Sequence, residues 1–518
     1  MKAKYILSVI VLAAFTQGAY AQYAQDAINF SSSQAGSTSR VKALGNAGTA
    51  IGGDLSSISI NPAGIGFFTK SELSLTPEFN GGKASSILYG NRDQSTKNSV
   101  NLNNASVVFY SQLRNNNADK TKGWLSLNFG ASYSRTNNFN NSAFIVGQNA
   151  QSGSSIADFY AELGTNFNYA PSGGNIPNFS DSPLAGIAYN HGLTVTDGPV
   201  EQDDNGVGYY NIIPTTAVGP SQTVNYARSG DVSEVNLAIG ANHSNNFYLG
   251  FGIGITSLRS DFSSTFTERG TSFDDPAEQY NTSLLIDQSV RGTGFNAKLG
   301  AIYRPVEAVR LGATITSPTW YNMEELYYET VETRFGSEGL QRAGNDYQTQ
   351  YNLTMPFRAS FGAAVFIGDR GFITGDVEYV DYKGTKLDSE DFDMSVDNND
   401  IKDLYKSTFN YKLGAELRAT DNFFLRGGYN IQSNPNKFTG YNAALNNERQ
   451  QDDIKTVSGG VGFRKGRYYI DATYSHSTSN YFYAPYMFNG TYNNTVTNPD
   501  ATLKREYNNV FLTVGLRF

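Results

Sequence analysis

No cysteine occurs in the chain, so disulfides, thiolate metal sites and a lipid-modified cysteine are all excluded. Histidine is nearly as scarce, at three residues: His191, His243 and His476. Charge is thin, with 17% of residues charged and a net charge of −8. Nucleic acid asks for a basic face, so that balance argues against it as a partner. Long apolar runs are missing too. Residues 6–15 form one, far short of the roughly 20 residues a spanning helix needs, and no later stretch is apolar enough. Lys2 and Lys4 before that run, and Ala19-Tyr20-Ala21 after it, mark a secretory signal peptide, residues 1–21, cleaved after Ala21.

Glycine (52), tyrosine (34) and phenylalanine (33) are plentiful. Aromatics and glycines with modest charge suit a β-rich protein that shows apolar surface to something other than water. Residues 294–317 display the pattern best. Phe295, Ala297, Leu299, Ala301 and Tyr303 alternate with Asn296, Lys298, Gly300 and Ile302. After a turn at residues 304–308, Val309, Leu311, Ala313 and Ile315 alternate with Arg310, Gly312, Thr314 and Thr316. Side chains point to opposite faces along a strand, so this is a hairpin with one apolar face.

The pattern recurs from residue 71 to Phe518 and yields fourteen strands. Short turns join most pairs at one end. Long polar segments follow the odd-numbered strands, at about 80–103, 135–232 (the longest), 259–290, 318–351, 383–407, 433–455 and 478–503. Short turns on one side, long loops on the other and an even strand count belong to outer-membrane barrels. An open sheet in lipid would leave backbone groups unpaired at several kcal/mol each, so the sheet must close. The expected fold is all-β: a 14-stranded antiparallel transmembrane β-barrel over residues 71–518. Residues 22–70 are small, polar and glycine-rich, with Ile51, Leu55, Ile58 and Ile60 to bury, and are expected to plug the lumen as an N-terminal hatch.

Gly45-x-x-Gly48 and Asn61-Pro62-Ala63 ahead of the first strand, then residues 294–305 running into Arg310-Leu311-Gly312-Ala313, resemble the FadL/TodX outer-membrane transporters of hydrophobic compounds. Phe409 to Glu416 and Leu425 to Tyr429 fit the same pattern. The resemblance implies passive uptake of long-chain fatty acids or aromatic hydrocarbons. It implies a hatch carrying Asn61, Pro62 and Ala63, ligand capture among outer loops, and a sideways exit through a gap made by a kinked third strand. Here that strand, Trp124 to Ser134, offers Gly130 as its kink candidate.

A fatty-acid carboxylate asks for a cation where water is scarce. Strand parity turns Lys298, Arg310, Arg358, Lys412, Arg418 and Arg426 inward. Parity also turns Glu234, Asp376, Glu378 and Glu416 inward, so a lumen network of ion pairs competes with ligand binding. Inward Gly250, Gly252 and Gly254 either leave room beside the hatch or pack strands closely. Gly250-x-Gly252-x-Gly254 lies within a strand, whereas a nucleotide loop opens into a helix. His476 with Asp471 on one strand invites a hydrolase reading, but no nucleophile–base–orienter set is visible, and no enzyme is expected. No cofactor is expected; His191 in the longest loop is a candidate haem-iron ligand only in an alternative reading as a haemin-binding receptor. A general diffusion porin is the other alternative. The expected partners are outer-membrane lipid and lipopolysaccharide, a hydrophobic small molecule, and the barrel assembly machinery through the C-terminal strand ending at Phe518.

Overall fold

The computed structural model describes residues 20–114, 119, 121–149, 155–167, 179, 182–202, 208–217, 219–437, 452–486, 499 and 501–518. Residues 1–19 of the expected signal peptide lie outside the described residues.

Period-two alternation builds the wall. Leu237 is 56% exposed while its neighbour Asn236 is 1% exposed. Phe251, Leu299, Phe361, Val461 and Leu512 face outward in the same way. The strands are β1 (Glu72–Leu88), β2 (Asn91–Phe109), β3 (Trp124–Asn138, continuing as Asn141–Gln148), β4 (Ser221–His243), β5 (Phe247–Thr271) and β6 (Gln279–Val306). Next come β7 (Val309–Thr316 and Trp320–Phe335), β8 (Gln341–Thr354 and Arg358–Phe366), β9 (Gly371–Val380) and β10 (Thr408–Arg418). The last are β11 (Phe423–Gln432), β12 (Ile454–Lys465), β13 (Tyr468–Tyr483) and β14 (Ala501–Arg517). Neighbours pair antiparallel, and β1 pairs with β14 through Leu73 opposite Leu516, closing a 14-stranded barrel. Closure removes the edges that lipid cannot hydrogen-bond.

The strands are longer than apolar alternation predicts. Residues 80–103, expected as a loop, are the β1–β2 hairpin turning at Tyr89-Gly90. The expected segments 259–290 and 318–351 are mostly the outer ends of β5, β6, β7 and β8. The segment 135–232 shrinks from both sides, because β3 runs to Gln148 and β4 begins at Ser221. The physical reason is plain in Asp93-Gln94-Ser95-Thr96-Lys97. Where both faces are polar the hydrophobic period vanishes, but the backbone ladder continues. Parts of the expected loops 433–455 and 478–503 lie outside the described residues.

Inside the wall run helices α1 (Tyr20–Ser31), α2 (Ser39–Ala43) and α3 (Ser57–Ile60), then a 3₁₀ turn, Pro62–Phe67. Ile51, Leu55 and Ile58 are each at most 3% exposed. The long-connection end is covered by α4 (Ile156–Phe167), α5 (Pro183–Asn190), the hairpin Thr194–Gln202 with Gly208–Pro214, and α6 (Ser395–Leu404). No described helix is long and apolar enough to cross a membrane.

Candidate functional site

The short-turn end of the lumen is a fitted joint. Asn61 caps the 3₁₀ turn, its Oδ1 accepting from Ala63 N at 3.1 Å, with Pro62 in the first turn, where its missing N–H costs nothing. Asn61 Nδ2 donates to Thr49 O at 2.7 Å and reaches Ala301 O and Ala313 O of the wall at 3.3 Å each. The wall opposite is glycine. Gly240, Gly250 and Gly300 are direct cross-strand neighbours on β4, β5 and β6. A Cβ at Gly250 would overlap the Pro62–Ala63 peptide, one at Gly300 would overlap Asn61 Oδ1, and one at Gly240 would lie 2.6 Å from Pro62 O. Gly312 on β7 is similarly occupied by Thr49, Gly414 on β10 by Leu44, and Gly428 on β11 by Leu44 and Gly45. The inward glycines expected from parity therefore have separate uses: Gly250 seats the hatch, Gly254 makes room for Glu234 and Asn296, and Gly252 meets only neighbouring strands.

Ion pairs surround this joint. Lys298 bonds Glu234. Glu378 takes Lys412 at 3.0 Å and Arg358 at 3.5 Å. Arg426 bridges Glu416 and Asp471 at 2.6 Å each. Arg418 pairs with Asp421 at 3.1 Å beside a short turn. Arg310 lies 4.3 Å from the Phe67 ring and 4.2 Å from the Phe366 ring and donates to Ile51 O. Thus five of the six predicted cations have a carboxylate partner, and Arg310 is held by rings and a carbonyl. Two bind the hatch itself: Arg310 as just described, and Arg358, which donates to Ser31 O at 2.5 Å and Ser33 O at 3.0 Å. The hatch contributes its own cation, missed from sequence. Arg40 pairs with Glu416 at 2.7 Å. Asp376 accepts from Gly48 N at 2.8 Å and Thr49 N at 2.9 Å.

The wall has a seam. The β2–β3 ladder, Asn104 opposite Ser134 to Phe109 opposite Phe129, continues toward the short turn through Leu113 N to Leu125 O, but it does not extend outward past Ser134. Beyond Ser134 the third strand breaks at Phe139-Asn140, opposite Gly230 of β4, whose φ is +118°. Gly130 is not the kink; its face receives Ile58 of the hatch. The outer piece of β3 stays paired with β4, while the β1–β2 hairpin lies across it, Ser86 Oγ donating to Phe144 O and Ser95 Oγ to Ser142 O. Residues 29–37 of the hatch fill the resulting slot. Gln34 N donates to Thr136 O at 2.8 Å, Asn103 Nδ2 donates to Ser37 O at 2.6 Å, and Asn137 Nδ2 donates to Asn29 O at 3.2 Å. The ion pair Arg135–Glu78, 2.7 Å, spans the slot from β3 to β1.

The long-connection end is built differently. Ile156, Tyr160, Leu193, Tyr226, Phe266 and Tyr280 belong to one buried apolar cluster. Glu268 of β5, fully buried, holds the first turn of α4: it accepts from Ser155 Oγ at 2.6 Å, Gln222 Nε2 at 2.7 Å, Tyr280 Oη at 2.8 Å and Ile156 N at 3.1 Å. Helix α1 is clasped from two sides. Its Asp26 pairs with Arg228 at 3.0 Å and accepts from Gln288 at 2.9 Å. On the other side Asp397 of α6, 1% exposed, accepts from Ala24 N. Burial, reinforced by Asp400, pushes the Asp397 carboxyl up to about 7.

His476 meets Asn508 at 2.9 Å, five residues from Asp471 and so on the opposite face of β13. His243 lies 5.1 Å from the Trp124 ring. His191 is buried just beyond α5, and no group of three metal-ligating side chains exists among the described residues.

A closed barrel, apolar outside, polar inside and stoppered by its own leading segment, has the architecture of an outer-membrane β-barrel. Comparison with solved structures agrees. The fold is similar to the Pseudomonas putida toluene transporter TodX, with a TM-score of 0.52 and 12% identity over 93% of this chain and 99% of that one. It is also similar to a Pseudomonas aeruginosa FadL homologue, with a TM-score of 0.51 and 14% identity over 92% and 98%. The fold implied by the sequence motifs is the fold found. No family model matches the sequence, and no curated protein matches it either.

Proposed function

We propose that the protein is a passive uptake channel of the outer membrane for hydrophobic small molecules, long-chain fatty acids among them. Ligand gathers beneath the outer loops, and movement of the hatch releases it. The observation that carries this reading is the seam: a break in the wall occupied by hatch residues 29–37 rather than by a neighbouring strand. A ligand leaving there enters the bilayer sideways and never crosses the fitted joint at the short-turn end. Asn61, Pro62 and Ala63 are the hinge that holds the hatch while residues 29–37 move. Lys298, Arg310, Arg358, Lys412, Arg418 and Arg426 hold the closed state, and the hatch-facing ones meet ligand only once the hatch shifts. The outer belt meets lipid and lipopolysaccharide, and β14, ending beside Phe518, is the element the assembly machinery reads.

The cysteine-free background supplies the test. Ser37→Cys and Asn103→Cys, bridged by a short reducible cross-linker, pin the hatch across the seam. Transfer of a fluorescent fatty acid into vesicles stops on cross-linking and returns on reduction. Transfer that continues through the cross-linked protein refutes exit at the seam. Deleting residues 22–63 separates this reading from a general porin, whose solute flux does not depend on the hatch.

A further inference from the structure

The outward face of the wall changes character past its apolar band, and not evenly around the barrel. On β12, β14 and β1 the outward side chains beyond the band include Lys455, Lys504 and Lys83. Lys83 stands four residues past outward Phe79, and Lys455 two past outward Val457. One row of cross-strand neighbours runs Lys455, Thr478, Glu506, Lys83, with Lys504 one outward position further along β14. Glu506 takes Lys504 at 2.9 Å and lies 4.0 Å from Lys83. Lys455 has no carboxylate within ion-pair distance among the described residues. Asp452 and Asp453, nearby along the chain, accept instead from Asn480 Nδ2 at 2.6 Å and Asn434 N at 2.8 Å. Half-way round the barrel the charge is balanced. Arg259 stands four residues past outward Ile255, in a row that reads Asp231, Arg259, Arg291, Glu324. Asp261 takes Arg291 at 2.6 Å and Arg259 at 3.5 Å.

Three lysines around one carboxylate leave a positive patch on a chain whose overall charge is −8. Cations gathered in this way repel one another until further anions join them. At a membrane boundary those anions are head groups, and a lysine serves a phosphate as a point charge. Below the patch Phe79, Val100, Val457 and Val510 are exposed and apolar, a floor for acyl chains. From Lys455 to Lys83 the row spans three strand spacings, about 14 Å. The patch therefore asks for several fixed negative charges spread over a wide head group, with acyl chains beneath it. A zwitterionic phospholipid brings no net charge, and free phosphate brings no chains.

We propose that Lys83, Lys455 and Lys504 form a docking site for a phosphorylated glycolipid of the outer leaflet, its phosphates on the lysines and its acyl chains on the wall below. This deepens the reading of the outer belt as a lipopolysaccharide contact and does not depend on what the lumen carries. Lipid A bearing both phosphates and the same lipid dephosphorylated are the probes. Each is titrated into full-length protein in nanodiscs of zwitterionic phospholipid, and binding is read by native mass spectrometry. In the triple variant Lys83→Gln, Lys455→Gln, Lys504→Gln, binding of the phosphorylated lipid falls roughly 10- to 100-fold. Binding of the dephosphorylated lipid stays at the wild-type level. Arg259→Gln with Arg291→Gln, from the balanced row, changes neither. Unchanged binding of the phosphorylated lipid in the triple variant overturns the proposal. So does equal loss of both lipids, or the same loss in the double variant, which would make the attraction a property of the whole belt. Inorganic phosphate that binds as tightly as the lipid overturns it too, since the chains would then add nothing. Wild-type protein that binds neither lipid overturns the reading of the belt itself. The heat-dependent gel shift of the folded barrel confirms that each variant is assembled.

Discussion

The two ends of the lumen are closed by different means. At the short-turn end, backbone meets backbone. Gly240, Gly250, Gly300 and Gly312 let the hatch lie directly on the wall, and Arg40, Glu416, Arg426 and Asp471 form a continuous chain of charge. At the long-connection end, large side chains meet: Tyr226, Tyr280, Tyr481 and Tyr483 with the loop helices. Glycine seats admit one position of one segment, whereas tyrosines and loops repack. On the function proposed above, the first end stays shut and the second accommodates a guest.

Three substitutions and a matched control probe that contrast. The largest effect is expected at the charge chain. Arg426→Met strands Asp471 in a buried site and leaves Glu416 to Arg40 alone, at about 3–5 kcal/mol. Unfolding in urea should shift accordingly, and a shift no larger than that of a surface substitution would show that the chain is not a stabilising element. Next comes Gly250→Val. Overpacking of this kind costs roughly 1–3 kcal/mol, and because the side chain meets the hatch rather than a strand, ion conductance in planar bilayers should rise while the wall survives. Gly427→Val, on the outer face of β11 with open space around it, is the matched control and should leave conductance unchanged. The smallest effect is at the outer clasp. Burial, with Asp400 beside it, raises the Asp397 carboxyl from the usual 3.8 to about 7 against the lowering by the Ala24 N–H, so the folded cap favours its protonated form. The cap is most stable in acid, loses that contribution as pH rises from about 4 to about 7, and is level above that. Hydrogen exchange of amides 23–31 should quicken over that window and lose the dependence in Asp397→Asn.

The wall was legible because lipid enforces alternation: Leu237 and Asn236, or Leu299 and Lys298, sort by parity alone. Where the strands leave the lipid, as at residues 91–103, nothing enforces it, and hairpin reads as loop. The inward glycines were visible, but not their purpose, since Gly300 takes its meaning from Asn61, 239 positions away. The break in β3 left no mark in its own strand; Gly230 on β4 permits it. The lumen cations were found and their rivals named, yet the hatch's Arg40 escaped notice because no parity applies to irregular chain.

The glycine seats bear on how the molecule is made. Contacts of residues 39–67 reach strands from β3 around to β14, so the leading segment touches most of the cylinder's staves. Seating the leader and joining the first stave to the last therefore favour each other in biogenesis, since each completes contacts that the other needs.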